Sequence, residues 1–314
     1  MIIGGTRLVG LALVKALAEK GMNVLVLSRK PAPYLNNVRS LQMDKALGLR
    51  TLKHEYFDFV FDFLCYGVDD VKDVKQHLKF SAYFMISSVW LNHIEIASRD
   101  GSKMPSLDQN KVTALPEATR NYLLAKFSAE QELIANNTKT GKIIIIRLPI
   151  FFGEYEHSNR LNFYTVRLKN DQPSILVNNG KNIIQIAWTE DIANILVPNL
   201  DKIIKSDITV WEALPNEGLK LSKFLFTLAE VLDVKPNFIS ISAQELKKNF
   251  PSYLIEEPLW RETAIKLTSH NLFLTFKTDP TPEKTWLNKI AFQQNKFSLD
   301  NIRNQEIDFL KNYN

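Results

Sequence analysis

Three residues in the first half of the chain have the types and spacing to move a proton: Ser88, Tyr122 and Lys126. Tyr122 and Lys126 stand four apart in Arg120 to Asn136, a segment with helical periodicity, so the phenol and the ammonium share one helix face. A nearby cation stabilises phenolate and draws the phenol's pKa towards the working range, which makes it a usable acid or base. Ser88 ends the strand-like run Met85-Ile86-Ser87-Ser88, where a hydroxyl could hold a reacting alcohol or carbonyl in line. Ser87 is the alternative, because register at a strand end is uncertain by one residue and a serine pair can also serve the backbone.

A second constellation is suited to phosphate. The very short apolar strand Met1 to Ile3 enters Gly4-Gly5-Thr6-Arg7-Leu8-Val9-Gly10, and Leu8 to Lys20 then carries apolar residues at helical spacing. Such a turn lets backbone approach a diphosphate and aims unpaired helix N–H groups at it. Thr6 is placed to cap the helix. Gly21 reads as its C-terminal stop, and Asn23 to Leu27 as a second, parallel strand, completing a βαβ unit.

The elements that must position these groups follow in alternation. Strands are expected at Val38 to Met43, Phe57 to Leu64, Tyr83 to Ser87 and Lys142 to Leu148, and helices at Val68 to Lys79 and Arg120 to Asn136. Apolar strands alternating with helices predict an α/β fold, a doubly wound parallel sheet covered on both faces. Right-handed crossovers then bring every strand's C-terminal end to one edge, where the serine pair and the glycine turn both fall.

These residues together resemble the NAD-dependent epimerases and dehydratases, the extended short-chain dehydrogenases/reductases. In that family the turn reads Gly-x-x-Gly-x-x-Gly. Gly4 and Gly10 match the outer glycines, and Arg7 stands at the middle one. The Gly-Gly-Thr-Arg form is similar to a subgroup that includes chloroplast stem-loop-binding proteins. Ser88, Tyr122 and Lys126 match the Ser and Tyr-x-x-x-Lys catalytic triad, and Glu130 completes the usual Lys-x-x-x-Glu phrase. Arg147-Leu148-Pro149-Ile150-Phe151-Phe152-Gly153 resembles the Arg-Pro…Tyr-Gly phrase, which implies that the backbone at Pro149 lies near the nicotinamide.

The resemblance implies a Rossmann-type domain that holds NAD(P) through Gly4 to Gly10. Family members that prefer NAD carry an acid at the end of the second strand. Here that position is Ser28, followed by Arg29 and Lys30, so NADP is expected, with NAD the alternative. A solvated loop is the bland reading of Arg29 and Lys30. Asp44, after the third strand, matches an Asp that recognises adenine, though an Asp in a surface turn needs no ligand. His157, Asn159 and Arg160 match a loop that holds a substrate's phosphate or sugar, and a solvated loop is again the alternative.

Past Gly153 the chain turns to longer loops rich in Asn and Pro, then Ile183 to Trp188, a helix from Thr189 to Pro198, and a mixed segment. Aromatic residues Trp260, Phe273, Phe276 and Trp286 are expected to supply a second small core. The expected domains are 1–153, to which 183–200 return, and a smaller interleaved substrate lobe of 154–182 and 201–314.

Charge narrows the choices little: 39 Lys and Arg against 34 Asp and Glu favour anionic ligands without selecting nucleic acid. The single cysteine, Cys65, cannot form an internal disulfide, and five scattered histidines offer no metal cluster, so none is expected. No apolar stretch is long enough to span a bilayer, and a cytoplasmic protein is expected. The reading is therefore an NAD(P)-dependent oxidoreductase, epimerase or dehydratase, acting on a sugar nucleotide or a similar alcohol or carbonyl substrate. The resemblance also implies a homodimer. The alternative is a non-catalytic RNA-binding or cofactor-sensing protein on the same fold, which no Lys/Arg cluster supports.

Overall fold

The run Ile143 to Ile146 is apolar at every position, which suits a strand covered on both faces, and all four side chains are fully buried. In the computed structural model this run lies in a seven-stranded sheet: β1 Ile2–Ile3, β2 Val24–Ser28, β3 Val38–Gln42, β4 Tyr56–Asp62, β5 Lys79–Ser88, β6 Lys142–Leu148 and β7 Ile208–Glu212. The structure describes residues 1–96, 105–136, 141–156, 158–170, 172–215, 218–261, 264–265, 268, 270–292 and 301–313. Across the sheet the strands run in the order β3-β2-β1-β4-β5-β6-β7, every pair parallel. This is a Rossmann-type α/β fold. Ile2 pairs with Val26 on one side and Phe61 on the other, so the order reverses between β1 and β4 and opens a crevice at their C-terminal ends.

Helices α1 Leu8–Glu19, α2 Lys45–Thr51, α3 Val68–His77, α4 Glu117–Ala135 and α5 Thr189–Leu196 accompany the sheet. Gly21, at φ +78, closes α1 with backbone bonds back to Ala18 and from Met22 to Leu17. Helix α2 was not expected from sequence, because Gly48 interrupts it. A Cβ there would lie 2.2 Å from a methyl of Leu27, so the glycine is what lets α2 lie against β2. The helix expected to reach Lys79 stops at His77, and β5 begins at Lys79, where alternation of exposed and buried residues marks a half-covered strand.

The chain divides into two compact units: 1–151, 189–214 and 265–279 in the first, and 152–188, 215–264 and 280–314 in the second. Strand β7 and residues 265–279 therefore belong with the sheet, whereas the sequence boundary grouped all of 201–314 in the second lobe. In the first unit Asn271 donates to Leu214 O, and Phe276 packs on Trp211 at 6.0 Å. Phe273 and Phe276 thus serve the first unit, not a second core. The second unit has its own aromatic stack, in which Trp286 lies 5.6 Å from Phe152 and 5.7 Å from Trp188. No helix among the described residues is long and apolar enough to cross a membrane.

Candidate functional site

The glycine turn at the mouth of α1 is closely packed. Gly4 sits at φ +87, and a Cβ at Gly10 would come within 2.9 Å of Gly5 Cα and 3.1 Å of Gly4 O. At Gly10 a side chain is excluded because the helix lies on its own turn. The helix starts without a side-chain cap and with no acid in its first turn, which leaves its N–H groups and positive dipole end to an anion. Thr6 does not cap it as expected. The N-cap residue is Arg7, extended at φ −148 and ψ 152, which sets Thr6 one position too early.

Arg7 also shifts the turn's strain. The next residue, Leu8, adopts φ +51, a left-handed conformation that costs an L-residue with a Cβ about 1–2 kcal/mol. Leu8→Gly is therefore expected to be more stable than Leu8→Ala by about 1 kcal/mol, the reverse of the usual helix ranking. Both variants lose the same buried side chain, so urea unfolding of the pair isolates the backbone term. A more stable Ala variant would contradict the left-handed assignment.

No carboxylate stands at the end of β2. The buried Ser28 hydroxyl donates to Lys30 O, tying the loop, while Arg29 and Lys30 are exposed. Asp44 is an N-cap, its Oδ1 accepting from Leu47 N at 2.9 Å. Its neighbour Lys45 is a hub that sequence reading missed. Lys45 Nζ pairs with Asp62 at 3.0 Å and Asp70 at 2.8 Å and donates to Leu64 O at 2.9 Å, so it ties α2, the end of β4 and α3 together beside the crevice.

Tyr122 and Lys126 share one face of α4 as their spacing requires, and the phenol is 42% exposed whereas Lys126 is 2% exposed. Lys126 Nζ donates to Cys65 O at 2.6 Å and Ile86 O at 2.7 Å, which pins α4 to the C-terminal ends of β4 and β5. Burial lowers Lys126 below the ordinary lysine value, and Cys65 and Asp62 partly offset it. The ammonium lies 5.9 Å from the Tyr122 ring centroid and 4.7 Å from that of Tyr66. Cys65 itself is buried, and desolvation pushes its thiol up to about 11.

The two serines of β5 take different surroundings. Ser87 Oγ donates to Glu130 at 2.5 Å inside the core, and Ser88 Oγ accepts from Trp90 N at 3.3 Å. Glu130, one further turn along the Tyr122 and Lys126 face, is fully buried and receives Arg147 Nε and Nη2 at 3.1 and 2.5 Å. Arg147, at the end of β6, also donates to Glu95 at 2.6 and 2.8 Å and to Asn92 at 2.6 Å. Asn92 in turn donates to Glu212 of β7. Burial raises Glu130 above the ordinary carboxyl range against the pull of Arg147. For Arg147, burial works downward, but Glu130 and then Glu95 raise it above its ordinary value. Pro149 is buried directly after β6.

The remaining site candidates lie in the second unit. His157 falls outside the described residues. Asn159 is left-handed at φ 57 and precedes the helix Arg160–Lys169, and Arg160 donates to Ser158 Oγ at 2.9 Å. Burial lowers the Arg261 guanidinium first of all, with Glu257 opposing. Buried Glu257 accepts from the Tyr164 hydroxyl, and desolvation raises it to about 7.

No family model matches the chain, and none of the curated proteins matches it either. Solved structures do share its fold. A UDP-galactose 4-epimerase aligns with a TM-score of 0.65 at 13% identity, over 93% of this chain and 98% of that one. A UDP-glucose 4-epimerase from Thermotoga maritima, solved with UDP-glucose, gives 0.60 at 14% identity over 93% and 97%. A human epimerase family protein with NADPH gives 0.58 at 14% identity over 93% and 99%.

Proposed function

We propose that the chain is a nicotinamide-dependent enzyme of the epimerase, dehydratase or reductase kind, acting on a sugar nucleotide or a similar alcohol or carbonyl compound. The observation that carries this reading is the Lys126 ammonium, held by the carbonyls of Cys65 and Ile86 with the exposed Tyr122 phenol on the same helix face. The pair stands at the sheet edge that also carries the turn of Gly4, Gly5 and Gly10.

The residues present fit a dinucleotide. A tight glycine turn and an uncapped helix start suit a diphosphate, and Gly4 to Gly10 would hold it. Ser28 and Arg29 would meet a 2′-phosphate, Asp44 the adenine, and the backbone at Pro149 the nicotinamide. The bound cofactor would supply the hydride acceptor or donor. Tyr122 Oη exchanges the proton of the substrate hydroxyl, and the Lys126 charge favours the phenolate form. Ser88 Oγ hydrogen-bonds the same substrate oxygen and fixes its line of approach. Asn159 and Arg160 would hold an anionic part of the substrate. His157 joins them by its place in the sequence.

Calorimetric titration with NADPH and NADH tests the cofactor assignment. NADPH is expected to bind more tightly, and Arg29→Ala to cost about tenfold in NADPH affinity with little change for NADH. Equal or tighter binding of NADH would refute the preference, and no binding of either would remove the enzymatic reading.

A further inference from the structure

Lys126 lies at the C-terminal ends of the strands, yet almost none of it reaches solvent, and the Tyr66 ring lies over its ammonium. The Tyr66 backbone is fixed, its N–H donating to Asp70 Oδ2 at 2.7 Å in the first turn of α3. Its side chain is not held in the same way, because the residue is 52% exposed. The ring centroid stands 4.7 Å from Lys126 Nζ, inside the range of cation–π attraction. The ammonium spends two of its three N–H groups on Cys65 O and Ile86 O. Two rings lie over the ammonium, Tyr66 nearer than Tyr122. An oxygen that approaches it from the Tyr66 side must displace that ring. Tyr122 is the group the chemistry needs in place, which leaves Tyr66 as the one to move.

We infer that Tyr66 is a cofactor-binding determinant, a side chain that covers the Lys126 ammonium and must swing aside before an oxygen of a nicotinamide nucleotide can reach it. This rests on the dinucleotide reading above. The covering ring exchanges one favourable contact for another, so its removal shows as affinity. A Tyr66 hydroxyl is not required for the effect, since it is the face of the ring that meets the cation.

The test compares wild type, Tyr66→Ala and Tyr66→Phe in two assays on the intact protein. In the first, the rate at which an amine-reactive acetylating reagent modifies Lys126 is followed by peptide mass spectrometry without cofactor. Tyr66→Ala is expected to raise it about tenfold, and Tyr66→Phe to leave it at the wild-type rate. In the second, calorimetry with NADPH is expected to give about three- to tenfold tighter binding for Tyr66→Ala and wild-type affinity for Tyr66→Phe. Unchanged acetylation in the alanine variant would overturn the cover. Faster acetylation with unchanged or weaker NADPH binding would overturn the gating of cofactor. Faster acetylation with no nucleotide bound by any of the three proteins would overturn the dinucleotide reading, and the gate's ligand with it. Circular dichroism of each variant establishes that the fold is retained, which the exposure of Tyr66 favours.

Discussion

Replacing Tyr122 by Phe lowers turnover by about three orders of magnitude while moving the NADPH dissociation constant less than about threefold. The substitution removes one hydroxyl from a residue 42% exposed and keeps the ring beside Lys126, so packing and the cation–π contact survive. What is lost is the only atom of the side chain that can carry a proton. The corresponding change at Lys126 would be a poorer experiment, because it strips the carbonyls of Cys65 and Ile86 of their buried donor and weakens the fold together with the chemistry. Steady-state rates with a panel of UDP-sugars, read beside calorimetry on the same preparation, separate the two parameters. Turnover at the wild-type rate in the Phe variant would eliminate the proton-transfer role.

The largest effect on stability is expected at Arg147. Arg147→Ala costs about 3–5 kcal/mol, because it leaves the buried carboxylate of Glu130 without its bidentate partner and Glu95 without its own. The loss registers as a lower urea midpoint followed by tryptophan fluorescence. Replacing both partners, Arg147→Leu with Glu130→Leu, restores much of the loss, since no charge is then stranded in the core. A loss below about 1 kcal/mol in the alanine variant would show that water or a rearranged neighbour compensates Glu130. The network also bears on chemistry: Glu130 holds Ser87 inward, and adjacent strand residues face opposite ways, so Ser88, itself 6% exposed, stands on the other face of β5.

Periodicity carried much of the fold. The alternation of apolar runs with helical segments anticipated the parallel sheet, and the β-branched run of β6 coincides with its predicted bounds. Strand β7 escaped notice because Ile208 to Trp211 are only half-buried at the sheet edge, so their pattern does not stand out from the loops around them. At the site, i,i+4 spacing set Tyr122 and Lys126 on one face but could not reveal that the ammonium turns onto backbone carbonyls. Such acceptors have no side-chain signature. Lys45 and Glu95 escaped notice for a different reason, since their charged partners Asp62, Asp70 and Arg147 are distant in sequence and meet them only once the strands pair. The displaced cap at Arg7 shows a backbone effect that residue preference for capping could not anticipate.

The sequence order of the sheet has a consequence for synthesis on the ribosome. β7 pairs with β6, yet more than half of the residues between them, 152–188, belong to the other unit, and the buried Asn271 that holds Leu214 comes later still. One edge of the nascent sheet thus stays unpaired while a foreign segment is made, and closing it carries the entropy of a long loop. Chaperone dependence and aggregation during expression should concentrate at β6, whose four consecutive isoleucines wait longest for their neighbour.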